Sequence, residues 1–339
     1  MNKVLFLGTY LSQSSGSKGP GEFVAEKLKE DGFDCRNISR RQNPVSRAFE
    51  SVVHVLFHRY DFVVLEVYSS RIIYLNYVLS WLIRFKKIPC VSVLHGGAIP
   101  DRYPKIKPFL LSIMSNSAIT ISPSNYIRLF FEEKGKKIQY IPNPFPIENF
   151  PFTRYMGPHP RLLWVRAFSS IYNPDLAIRI LNEVRKVIPE VTLTMVGPDK
   201  GMLAEVQKLI QYLELQNVVT IVGPVPNNQL FEYYHNHSVF LNTTSYESFG
   251  LAVLEAAACG IPVVSSPAGE IPFLWQHEKN MFISENLKPE IMAQNVLRLL
   301  NEPALGEQLS KNARKKAKEF DWDKIKPQWI KLLRNQISE

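Results

Sequence analysis

Two carboxylates eight residues apart, Glu247 and Glu255, bracket Ser248-Phe249-Gly250-Leu251, and Ala-Ala-Ala-Cys-Gly-Ile-Pro-Val-Val follows. The Phe-Gly pair reads as the start of a helix. A helix N-terminus offers unpaired N–H groups and a partial positive charge, which can hold a phosphate or a sugar oxygen. A carboxylate just before that terminus, and another two turns along it, can accept hydrogen bonds from hydroxyl groups. The set matches the three parts of a sugar nucleotide: sugar, diphosphate and ribose.

In open α/β sheets ligands bind beyond the carboxyl ends of the strands. Glycine and charged residues concentrate in the loops that follow the predicted strands: Gly8 to Gly21, His95-Gly96-Gly97, Arg166, Gly197-Pro198-Asp199-Lys200, Gly223-Pro224 and Glu247. The first loop ends Gly16-Ser17-Lys18-Gly19-Pro20-Gly21-Glu22 and is a near miss for a triphosphate-binding loop, because Glu22 stands where a lysine is needed. Neither does it match the dinucleotide fingerprint. It reads as a flexible loop able to close on a ligand or as a plain surface turn. His95 ends a buried strand before two glycines and is open to a structural or a functional role. Asp321-Trp322-Asp323 reads as a cap before a helix, not as a metal site. His54 and His58 form the one helical His pair and have no carboxylate beside them, so no metal is expected.

The elements that must hold these residues follow from the hydrophobic pattern. Short apolar runs alternate with longer helical stretches, the signature of α/β units around parallel sheets. Strands are expected at Val4 to Leu7, Phe62 to Leu65, Cys90 to Leu94, Ala118 to Ile121 and Gln139 to Ile141, with helices over Glu22 to Asp31 and between the second and third of these strands. Proline density from Pro142 to Pro160 marks a linker. The pattern restarts with strands at Arg161 to Val165, Thr192 to Val196, Val218 to Val222, Ser238 to Leu241 and Val263 to Ser265. The expected organisation is two Rossmann-like doubly wound domains, residues 1–150 and 159–320, facing across a cleft. A C-terminal helix over 321–339 is expected to return to the first domain.

The chain has 339 residues, 45% hydrophobic and 21% charged, which fits a globular protein of two domains. No apolar run reaches the ~18–20 residues of a membrane span, and the N-terminus does not read as a signal peptide. Three scattered cysteines fit reduced thiols in a cytoplasm. The net charge of +9 favours an anionic partner. Nucleic acid is disfavoured, since no binding motif accompanies the charge. Basic runs lie near aromatic segments such as Ile72-Ile73-Tyr74 and Trp81-Leu82-Ile83, which raises peripheral contact with an anionic membrane surface as an expectation.

The run Glu255-Ala256-Ala257-Ala258-Cys259-Gly260-Ile261-Pro262-Val263-Val264, read with Glu247 eight residues before it, resembles the retaining GT-B glycosyltransferases of the family-4 type, the glycosyl transferases group 1. Supporting matches are His95-Gly96, Ser122-Pro123-Ser124, Ile141-Pro142-Asn143, Val196-Gly197, Gly223, Leu230 to Tyr234 and Ala268-Gly269-Glu270-Ile271-Pro272. The resemblance implies a GT-B fold and a metal-independent hexosyltransferase without cofactor. It implies a UDP- or GDP-linked sugar as donor substrate and an acceptor glycan or lipid-linked saccharide. In that reading Glu247 contacts the donor sugar, and the amides of Phe249, Gly250 and Leu251, with Ser248, hold the sugar and diphosphate. Glu255 takes the ribose hydroxyls, His95 lies near the donor sugar and acceptor, and Gly19 and Gly21 approach the diphosphate. Gly197, Lys200 and Gly223 join the donor site. The setting implied is bacterial surface-polysaccharide or glycolipid assembly at the inner face of the membrane.

One departure from the family pattern stands out. Ala167 and Tyr172 occupy the positions where the family carries Arg and Lys against the leaving diphosphate. Arg166, one position early, is the expected substitute, with Lys200, Lys18 or Arg102 as other sources of charge. The same loss leaves open a nucleotide-sugar-binding subunit with little or no transferase activity.

Overall fold

The computed structural model describes residues 2–10, 19–38, 43–153 and 159–337. Most of the first loop, including Gly16 and Lys18, and part of the proline-rich linker, including Pro158, lie outside the described residues. The chain divides into two compact units. The first comprises Met1–Phe145 with Trp322–Glu339, and the second Pro146–Asp321.

The first unit is built on a six-stranded parallel sheet of order β2-β1-β3-β4-β5-β6. Its strands are β1 (Lys3–Leu7), β2 (Asp34–Ile38), β3 (Phe62–Val67), β4 (Cys90–Leu94), β5 (Ile119–Ser122) and β6 (Gln139–Tyr140). All six residues of β3 are buried, as is usual for a central parallel strand with helices on both faces. On one face pack α2 (Pro44–Phe57), α3 (Ile72–Phe85), α4 (Ile99–Asn116) and α5 (Asn125–Glu132). On the other lie α1 (Pro20–Glu30) and the C-terminal helix (Trp322–Ile337), whose Trp322, Ile325, Trp329, Leu332 and Leu333 join one apolar cluster with Val4, Phe6, Val64 and Val91.

In the second unit the sheet order is β12-β11-β10-β7-β8-β9, again parallel. The strands are β7 (Arg161–Val165), β8 (Thr192–Val196), β9 (Val219–Gly223), β10 (Val239–Asn242), β11 (Val263–Ser265) and β12 (Phe282–Ile283). Its core unites the sheet with α6 (Pro174–Arg185), α7 (Leu203–Tyr212) and α11 (Pro289–Asn301). The sequence reading overlooked β2 and β12. Both are edge strands. The first is written Asp-Cys-Arg-Asn-Ile and the second is two residues long, so neither shows a buried-strand signal.

In each unit the strand order reverses beside the first strand, between β1 and β3 and between β7 and β10. The loops that leave these paired strands diverge to opposite faces and open a crevice at their carboxyl ends. Those two switch points position Glu66 in the first unit, and Arg166 and Glu247 in the second.

Candidate functional site

The second unit's switch point joins the loop after β7 to the loop after β10 by a set of polar bonds. Asn173, held at φ +45°, donates from Nδ2 to Thr243 O at 2.9 Å and to Ser245 Oγ at 2.7 Å. Trp164 Nε1 donates to Thr243 Oγ1 (2.9 Å), and Thr243 Oγ1 donates to Tyr172 O (2.6 Å). The two loops are thereby fixed in register, and Arg166 on one meets Glu247 on the other.

Arg166 donates from Nη2 to Glu247 Oε2 in a short ion pair, and both side chains are largely buried. Burial disfavours the guanidinium charge. Glu247, with Tyr172, Tyr234 and Glu255 further off, outweighs that and holds the proton more tightly than usual. Tyr172, at the position where a lysine was expected, places its ring 5.2 Å from the Arg166 guanidinium. Arg166 Nε is buried without a hydrogen-bond partner, so the guanidinium keeps an unused donor. Two glycines make room for the pair. A Cβ on Gly197 (φ +148°) would sit 1.9 Å from Arg166 O, and one on Gly269 (φ +52°) would sit 2.0 Å from Glu247 O. Glu270 N also donates to Glu247 O, at 3.0 Å.

Glu247 is followed by α9 (Leu251–Cys259). Gly250, at φ +89°, turns the chain into this helix, and the first-turn amides stand as orphan donors at its tip. The helix is apolar nearly all round, as a core helix must be. Its run of alanines permits close packing against α12 (Pro303–Ala317). Arg314 and Ser310 of α12 satisfy the far end, donating to Ala258 O at 2.7 Å and Gly260 O at 2.6 Å. Glu255 is the one carboxylate within α9. It accepts from Tyr234 Oη at 2.8 Å. Burial raises its pKa to about 7, while the Tyr234 hydroxyl and the Arg166 charge pull the other way.

Other expected donor residues are more dispersed. Gly197 N donates to Gly223 O at 2.8 Å, which places Gly223 on the outer strand β9, away from the switch point. Lys200 is exposed in the loop after β8. Arg102 donates to Ser69 O at 3.1 Å in the first unit. Gly19 caps α1 with open space around it, whereas a Cβ on Gly21 would sit 1.7 Å from Glu66 Oε1.

The first unit's switch point carries a second polar group. His95 follows β4, with its Nε2 3.6 Å from Glu66 Oε1 near the end of β3. Tyr68 donates to Glu66 Oε2 at 3.5 Å and stacks on the imidazole with ring centroids 5.3 Å apart. Burial raises the Glu66 pKa to about 8, against the opposing pull of the Tyr68 hydroxyl and the Gly21 amide. Burial also lowers His95 to about 4. At neutral pH the pair is a protonated acid beside a neutral imidazole, able both to donate to and accept from hydroxyl groups.

Sequence reasoning did not single out Glu66, Tyr68 or Tyr234 as site residues. A signal for Glu66 existed: a carboxylate inside Phe-Val-Val-Leu-Glu-Val, near the carboxyl end of a central strand. Tyr234 lay within a matched segment but gave no sign of its partner. Among the described residues no group of three or more His, Cys, Asp or Glu is placed to hold a metal ion.

Residues 151–316 match the model of the glycosyl transferases group 1. The D-inositol 3-phosphate glycosyltransferase of Streptomyces griseus subsp. griseus is 31% identical over 162 residues, covering 47% of this chain and 33% of that protein. Its namesake in Streptomyces avermitilis is 29% identical over 158 residues, covering 44% and 34%. The chain thus spans about a third of the length of these curated relatives. Among solved structures, sucrose-phosphate synthase from Thermosynechococcus elongatus superposes with a TM-score of 0.80 at 19% identity, covering 100% of both chains. The Anabaena protein HepE, solved with UDP and glucose, gives 0.78 at 17% identity, covering 98% of this chain and 100% of that one. At such identities the likeness is one of fold, and the fold is GT-B. The family likeness lies in residues 151–316 of the second unit, which resemble the glycosyl transferases group 1.

Proposed function

We propose that this protein transfers a sugar from a nucleotide-linked donor to an acceptor hydroxyl, with retention at the anomeric carbon. The observation that carries the reading is the Arg166–Glu247 ion pair at the tip of α9, with Glu255 two turns further along. In the reaction the bond from C1 to the leaving phosphate oxygen breaks and a bond from C1 to the acceptor oxygen forms on the same face. The acceptor proton passes to a phosphate oxygen of the departing nucleoside diphosphate. The oxocarbenium-like centre gives up negative charge to that diphosphate, so a preformed cation or dipole must receive it. The amides of Phe249 and Gly250 just before the helix, the Leu251 amide at its start and the spare Nε donor of Arg166 have that character. Glu247, held in orientation by Arg166, offers its other oxygen to a sugar hydroxyl. Glu255 takes the ribose hydroxyls, and the neutral His95 meets a hydroxyl of the acceptor.

The first unit is assigned to the acceptor and the second to the nucleotide sugar. No metal takes part in this scheme, because Arg166 and the helix tip fill the role a divalent cation plays elsewhere. The UDP found with HepE makes a UDP-linked donor the first choice, ahead of a GDP-linked one. A glycan or lipid-linked saccharide acceptor, in polysaccharide or glycolipid assembly at the cytoplasmic face of a membrane, completes the proposal.

Thermal shift with UDP, GDP and ADP, followed by turnover with the matching sugar donors and NMR of the product's anomeric proton, tests it. A product of inverted configuration refutes retention. A second reading, a donor-binding subunit with little activity, is favoured by Ala167 and Tyr172 at the family's Arg and Lys positions. Nucleotide binding without turnover across the donor panel would select it.

A further inference from the structure

The face formed by α2, α3 and α4 carries features that the donor site does not use. Tyr74, Val78, Trp81 and Phe85 recur at spacings of four, three and four, one stripe of a 3.6-residue helix. All four are exposed, Trp81 at 49% and Phe85 at 82%. On the neighbouring α2, Val45, Phe49 and Phe57 are also exposed, the two phenylalanines at 72% and 78%. Lys86, just past α3, donates from Nζ to Leu56 O near the end of α2 at 2.9 Å, which draws the two helix ends, with Phe57 and Phe85, to one locality. Large apolar side chains grouped in this way need a partner.

Charge on the same helices names the partner. Residues 44–59, 71–87 and 99–116 together hold nine Lys and Arg against two carboxylates, Glu50 and Asp101. Seven of the nine net positive charges of the chain therefore lie on three adjacent helices and the residues flanking two of them. Arg84 lays its guanidinium 5.9 Å from the Trp81 ring centroid while donating to Ser115 O, so cation and aromatic ring share one patch. No described helix is long and apolar enough to cross a membrane. A cationic face studded with Trp and Phe suits the interfacial zone of an anionic bilayer. A second copy of the chain would set this positive face against itself, and nucleic acid would leave the apolar stripe uncovered.

We infer that the exposed face of α2 and α3, with the cations of α4, docks the protein on an anionic lipid surface, α3 lying along the interface with Tyr74, Val78, Trp81 and Phe85 turned to the lipid. The inference rests on the membrane setting proposed above, and not on the donor chemistry. Sedimentation at low salt with phosphatidylcholine vesicles containing about 30 mol% of the anionic lipid phosphatidylglycerol tests it. The wild-type protein binds and Trp81 fluorescence shifts to the blue. Pure phosphatidylcholine binds far less. Phe57→Glu/Phe85→Glu weakens partition by at least about tenfold, and Arg59→Ser/Lys87→Ser by about fivefold per cation removed. The substituted side chains are exposed, and unchanged circular dichroism with an intact UDP-induced thermal shift verifies folding. Equal binding by wild type and both variants overturns the proposal. So does a failure of the wild type to bind anionic vesicles, or a wild-type dimer that Phe85→Glu converts to monomer. Retention on RNA that Phe57→Glu/Phe85→Glu leaves intact, without vesicle binding, overturns it in favour of nucleic acid. Loss of the UDP shift alone would sink the donor reading and leave this one standing.

Discussion

Acidification weakens nucleoside-diphosphate binding through Glu255. Without ligand this carboxyl has its pKa raised to about 7, burial being the main cause. In the proposed role, ribose hydroxyls donate to the ionised form, so binding selects the carboxylate and the protonated form must first lose its proton. With the acid form taken as non-binding, a group of pKa near 7 is about 3% ionised at pH 5.5 and mostly ionised at pH 8. Affinity then falls by about thirtyfold over that interval, or about 2 kcal/mol. Binding at pH 7 releases about half a proton per site. Calorimetry with UDP in buffers of different ionisation enthalpy measures both quantities. The phosphate of the nucleotide titrates in this range as well, so the comparison is with Glu255→Gln, which keeps the size and removes the titration. Fold stability moves in the opposite direction. The folded pKa lies above the unfolded value, so this group's contribution is fully present below about pH 4.5 and is lost as pH rises through about 7. Loss of affinity on acidification is therefore not partial unfolding at this site. If wild type and Glu255→Gln show the same pH slope, the ribose assignment is wrong.

Glu247→Ala leaves the buried Arg166 charge uncompensated and costs about 3–5 kcal/mol in urea unfolding, whereas Arg166→Met/Glu247→Leu recovers most of that stability and remains without transferase activity. Gly269→Ala forces a side chain into a left-handed backbone conformation 2.0 Å from Glu247 O, so it lowers stability by about 1–3 kcal/mol and abolishes the thermal shift with UDP. Glu66→Gln flattens the alkaline limb of the stability curve. The wild-type acid has a folded pKa of about 8, above the ordinary carboxylate value, so its contribution is lost as pH rises through 8, and melting temperatures at pH 7 and pH 9 read the difference.

Much of this was legible in the sequence because apolar runs and loop chemistry recur where a doubly wound sheet needs them. Cys90–Leu94, Arg161–Val165, Thr192–Val196 and Val263–Ser265 carry the expected bounds, since each is a short β-branched or apolar run between turn signals. The tip of α9 was legible for a similar reason: Gly250 supplies the positive φ that a strand-to-helix turn there requires. Edge strands were not, because a strand buried on one side tolerates Asp34, Arg36 and Asn37. Side-chain pairing was also hidden. Arg166 and Glu247 are 81 residues apart, and nothing local to either announces the other. Likewise Tyr234 meets Glu255 across 21 residues because α8 (Leu230–His235) packs on α9, a fact of tertiary structure alone.

The two switch points solve the same electrostatic problem in different ways. Each holds a largely buried carboxyl in a glycine-lined setting: the Glu66 carboxyl lies against Gly8 and Gly21, and the backbone of Glu247 lies against Gly269. A carboxylate taken out of water must be matched by a cation or keep its proton. In the second unit Arg166 is the cation, and it needs no place in the usual Arg and Lys positions because the ion pair itself fixes where the guanidinium lies. In the first unit the nearest base is an imidazole that burial keeps uncharged, so Glu66 keeps its proton instead. A site for an anionic, leaving diphosphate calls for the first solution, and a site for a neutral, hydroxyl-bearing acceptor calls for the second. That difference in charge compensation, independent of any family pattern, supports assigning the nucleotide to the second unit and the acceptor to the first.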